Sequence, residues 1–84
     1  MKNLIRKPDM SIYFASMSVT GLYLQNDLDR ANNYSDLIDL VHKWFSISEI
    51  TSNEVKKKWY STAAKGLYSF LTGNTYESKL NIKI

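Results

Sequence analysis

Apolar residues recur at helical spacing through the middle and later part of the chain and change rhythm towards both ends. Between about Ser52 and Thr72 they fill one half of a helical wheel: Val55, Trp59, Tyr60, Ala63, Ala64, Leu67, Phe70 and Leu71. Thr51 stands where an N-cap belongs, with Glu54 three residues on as a capping-box partner. Ile50 and Val55 have hydrophobic-staple spacing, and Gly73 follows the last periodic residue, where a left-handed C-terminal cap is expected. A shorter helix is predicted from Asp36 to about Ser46. Ser35 serves as its cap, Asp39 and Lys43 form an i,i+4 pair, and Leu37, Ile38, Leu40, Val41, Trp44 and Phe45 form one wide apolar arc. The link Ile47–Ile50 is short, so the two helices form a hairpin.

Outside this hairpin the pattern reads differently. Lys79–Ile84 alternates Leu80, Ile82 and Ile84 with polar residues, the signature of a half-buried strand. Residues 10–15 and 19–25 are rich in β-branched and aromatic side chains, among them Ile12, Tyr13, Phe14, Val19 and Tyr23, and read as two short strands. The expected fold is therefore α+β, a small antiparallel sheet (an N-terminal hairpin plus the C-terminal strand) packed on a two-helix hairpin. The alternative is a mostly α fold with one helix over 9–30, capped by Asp9, because Met10, Phe14, Met17, Gly21, Leu24 and Leu28 share one helical face. Asn26–Tyr34, polar and Asn-rich, reads as a loop in either case.

Length keeps this to one domain over 1–84. At 84 residues roughly 60% of the unfolded surface can be buried, too little for two cores. An apolar fraction of 44% places the chain above the disordered class, and the absence of Cys removes disulfides and thiolate metal sites. No apolar run approaches the ~20 residues of a bilayer span, and Met1–Ser11 carries three cations in place of a signal-peptide core. A soluble cytoplasmic protein without a membrane association is expected.

Charge divides the chain where composition does not. The net +3 combines basic ends with an acidic middle: residues 8–54 hold seven acids against Arg30 and Lys43, and residues 55–84 hold six Lys against Glu77. Such a separation gives a dipolar surface able to steer an oppositely patterned partner. Chemistry is sparse by comparison. His42 is the only histidine, Asp27 and Asp29 have no further acids to complete a cation shell, and Gly21, Gly66 and Gly73 lie too far apart for a phosphate loop. No cofactor or catalytic site is expected, so an enzyme is the least supported class and a non-enzymatic protein is expected.

Two surfaces of the 52–72 helix remain as candidates. One is an acid-free arc with Lys57, Lys58, Lys65 and Tyr68, suited to phosphates or an acidic partner. The other is the far side of the broad apolar arc, with Tyr60, Leu67 and Leu71, suited to a partner protein or a homodimer. Lys, Asn, Ile and Tyr together make up 29 of 84 residues while Arg occurs twice, a bias that fits an A+T-rich genome. These features predict a small non-enzymatic protein-binding module that acts by stoichiometric binding, in the manner of a phage or mobile-element inhibitor of a host system. The alternative is a nucleic-acid-binding protein that uses the Lys face of the helix.

Overall fold

Side-chain amides, not hydroxyls, start the two long helices of the chain. The computed structural model describes residues 6–73. Within it α1 runs Ser11–Ala15, α2 Ser18–Arg30, α3 Tyr34–Ile50 and α4 Glu54–Thr72. Asn33 caps α3 by accepting the Asp36 N–H at 2.8 Å, and Asp36 reaches back to accept the Asn32 N–H, also at 2.8 Å. Asn53 caps α4 by accepting the Lys56 N–H at 2.9 Å. Asn outranks Thr and equals Ser at this position, and the observed caps lie two residues from the expected Ser35 and Thr51. Ile50 and Val55 are both exposed, so no staple closes that end. Gly73 ends α4 as expected, at φ 75° with its N–H on the Ser69 carbonyl.

The α3–α4 hairpin holds, with a tighter link than expected because α3 continues to Ile50. Its partner element is the correction. The N-terminal half is helical, and among the described residues there is no strand, so the fold is all-α and not α+β. The expected strand at Lys79–Ile84 lies outside the described residues. Without a second strand to pair with, the backbone polar groups of residues 10–30 have to be satisfied locally, which a helix does and a lone strand does not. Period decided the matter over propensity. Met10, Phe14, Met17, Gly21, Leu24 and Leu28 are all buried, whereas Ile12, two residues from Phe14, is 83% exposed. Strand alternation would have put Ile12 and Phe14 on the same face. The expected loop at Asn26–Tyr34 shrinks to a short link, because α2 runs on to Arg30.

The 9–30 helix of the alternative is also not continuous. Ser16 Oγ donates to the Tyr13 carbonyl at 2.8 Å, α1 closes on tight i→i+3 bonds, and Ser18 sits at φ 54°. A hydroxyl that bonds its own backbone competes with the helix, as Ser16 does here just before Met17. The reversal folds α2 back onto α1 so closely that a Cβ on Gly21 would fall on the Phe14 carbonyl oxygen. Asp9 supports the start of α1: its Oδ1 accepts the hydroxyl (2.7 Å) and N–H (3.1 Å) of Ser11, bonds that hold its carboxyl below the usual range.

One core joins the two halves. Trp44 lies fully buried at its centre, edge-on to Phe14 with ring centroids 6.3 Å apart. α4 faces α3 with Ala63, Ala64 and Leu67, and the two small alanines let the helices approach. Met10 crosses to α4 and packs its methyl over Gly66. The hairpin is tied at both ends: Tyr34 Oη donates to the Leu71 carbonyl at 2.9 Å, and Lys57 Nζ to the Ser48 carbonyl at 3.0 Å.

The two helical glycines make opposite predictions. Gly21→Ala drives a methyl into backbone and should cost about 1–3 kcal/mol or more. Gly66→Ala meets only the movable end of Met10 and gains about 1 kcal/mol of helix propensity, so it should stay near wild type. Urea unfolding of the two variants checks the contrast.

Candidate functional site

The residues singled out on α4 are largely used by the fold. Lys57 is half-buried and committed to the Ser48 carbonyl, in the last turn of α3 where backbone oxygens lack helical partners. A cation there complements the negative end of the α3 dipole, which offsets the unfavourable position of Lys57 in the first turn of its own helix. Lys58 is exposed, while Lys65 is half-buried and Tyr68 packs against the core. The Lys arc is thus not one open plane.

The apolar candidates move further. Leu67 is fully buried in the α3–α4 seam and cannot serve as contact surface, a correction to the expected partner face. Tyr60 and Leu71 are half-buried against the core. An apolar arc of half a turn exceeds what one neighbour covers, and here two elements share it. α3 covers Ala63, Ala64 and Leu67; the N-terminal segment covers Gly66 and Phe70, with the Met10 methyl over the glycine and the Arg6 guanidinium 5.7 Å from the Phe70 ring centre.

The open apolar surface lies instead on α1 and α2. Val19, Leu22 and Tyr23, at i, i+3 and i+4, form an outward stripe on α2, with Leu22 69% and Tyr23 63% exposed. Ile12 and Tyr13 are exposed on the adjoining α1. An outward helix face in a small domain is ordinarily charged or polar, so several large apolar side chains there depart from the usual pattern. One signal in the sequence could have revealed it: Met10–Asn26 contains no charged residue. Once these residues are helical, that run supplies both the buried and the outward face, and neither carries a charge.

The stripe leads to a polar network that fixes its position. Asp27 Oδ2 accepts the Trp44 indole N–H and the Lys43 ammonium, each at 3.2 Å. Tyr60 of α4 stands close to this group. Burial pushes its phenol above the usual range, the Asp27 carboxylate adds to the rise, Lys43 opposes it, and Tyr23 raises it slightly.

The remaining features do not assemble into a reaction centre. His42 is exposed on α3. Asp27, Arg30, Asp36 and Asp39 line an open cleft of about 220 Å³, and among the described residues no three His, Cys, Asp or Glu side chains converge on a metal position. A second cleft of about 460 Å³ lies between Arg6, Tyr34, Phe70 and Leu71. Among the described residues no helix is long and apolar enough to cross a membrane.

The raised phenol has a signed consequence. Folding favours neutral Tyr60, so its contribution is complete below the unfolded Tyr value near 10 and is lost as pH rises through the higher folded value. Tyr60→Phe should remove a late-titrating phenol from the alkaline absorbance titration and flatten the stability loss above pH ~10.

No family model, no curated protein and no solved structure matches the chain, so the reading of its function rests on the surface just described.

Proposed function

We propose that this chain is a non-enzymatic protein-binding module that acts by stoichiometric contact through the outward face of α1 and α2. The observation that carries this reading is the charge-free apolar stripe Val19, Leu22 and Tyr23, extended by Ile12 and Tyr13. Apolar and aromatic side chains in a patch of this kind are the residues that anchor protein interfaces, where they exchange water for a partner's surface. The anchoring of α2 through Asp27 to Trp44 supports the same reading, because a preorganised face loses less entropy on binding.

The reading of α4 as a nucleic-acid surface has less to draw on. Lys56 and Lys58 are exposed, but Lys57 is held by Ser48 and the cations are Lys, without the bidentate reach of Arg.

Leu22→Asp and Lys58→Glu separate the two readings, since both positions are exposed and neither substitution touches the core. In nuclease-treated affinity purification the Lys58→Glu protein should retain the same stoichiometric partner as wild type, and Leu22→Asp should lose it. Binding that vanishes with nuclease, falls steeply with salt and is abolished by Lys58→Glu would transfer the function to α4.

A further inference from the structure

We infer that in the free protein the α1–α2 face is covered by a second copy of this chain, in a two-fold dimer centred on Leu22. The inference rests on the reading of that face as a protein interface and names its occupant.

Area is the first argument. Ile12, Tyr13, Val19, Leu22 and Tyr23 are each more than half exposed, and together they present on the order of 600 Å² of side-chain surface. That lies at the upper end of what a monomer leaves open, and near the ~800 Å² that each partner contributes to a stable interface. The exposed Ala15, Ser16 and Asn26 around the stripe supply further area.

Charge is the second. Two copies of a chain with net charge +3 repel one another, so they meet most favourably where neither carries a charge. Met10–Asn26 is the longest uncharged run in the sequence, and its outward half is the stripe. A two-fold contact sets a surface against itself, so any charge near the axis meets its like. This face has none to set. The run is flanked by Asp9, Asp27 and Asp29 together with Arg6, Lys7 and Arg30, so the face lacks the cationic excess that an anionic lipid surface selects.

Sedimentation equilibrium of the full chain, from low micromolar to near-millimolar concentration, tests the inference. Wild type should fit twice the chain mass, and Lys58→Glu should behave alike. Leu22→Asp should raise the dimer dissociation constant at least thirtyfold, to a monomer with an unchanged far-ultraviolet helix signal. If Leu22→Asp loses helix signal, Leu22→Gln, which adds no charge, takes its place with the same expectation in weaker form. Wild type that remains monomeric throughout overturns the inference. If that monomer still takes a partner lost by Leu22→Asp and kept by Lys58→Glu, the interface reading stands with a foreign occupant. If instead it co-sediments with phosphatidylcholine vesicles, the face belongs to a lipid surface and both fail. A dimer that Leu22→Asp leaves intact also overturns the inference, because the contact then lies elsewhere.

Discussion

A fully buried tryptophan brings an indole N–H that has to find an acceptor, and in this protein the acceptor comes from another helix. Trp44 of α3 donates to Asp27 of α2 and receives the edge contact with Phe14 of α1. The backbones of α2 and α3 approach each other at few points, whereas α3 and α4 run together along most of their length. The two halves of the fold are therefore joined mainly through side chains, and Trp44 touches both helices of the N-terminal half. Hydrogen bonds to a charged acceptor are worth about 1.5–3 kcal/mol, and loss of the acceptor would leave a buried donor unsatisfied. Lys43 partly neutralises the same carboxylate, but its half-exposed ion pair contributes at most about 1 kcal/mol.

That junction determines which surface remains open. With Phe14 on Trp44 and Asp27 on the indole, α2 turns Gly21, Leu24 and Leu28 inward and leaves Val19, Leu22 and Tyr23 outward. The close crossing at Gly21 folds α1 against α2, so Ile12 and Tyr13 add to the exposed apolar surface of the same half. Nothing else in the described chain covers them, because α4 is already occupied on two sides, by α3 and by the segment from Arg6 to Met10. A small domain usually places charge on such a face, and the sequence withholds charge from this one.

The α3–α4 hairpin was legible in the sequence because its signals agree: helical period, a short link, and Gly73 at a left-handed cap. The N-terminal half was harder, since β-branched and aromatic residues favour strands while their spacing favours a helix. Spacing prevailed because it decides what is buried, and burial outweighs propensity. The reversal near Ser18 is set by a backbone contact at Gly21 that depends on where α1 comes to lie, which no local pattern states. The candidate site suffered from the same ambiguity. Read as strand residues, Ile12, Val19 and Tyr23 do not show the outward positions they take on helices. The arc around Leu67 is wider than one neighbour covers, and its second cover, from Arg6 and Met10, is a long-range contact that no local pattern states.

If Asp27 fastens the N-terminal helices to the α3–α4 hairpin, its removal should act unevenly. Amide hydrogen exchange on Asp27→Ala, followed segment by segment against wild type, measures this directly. The account predicts that α1 and α2 lose protection by a clearly larger factor than α3 and α4, whose Ala63–Ala64–Leu67 seam is untouched. Equal loss across all four helices, or unchanged protection in α2, would contradict it.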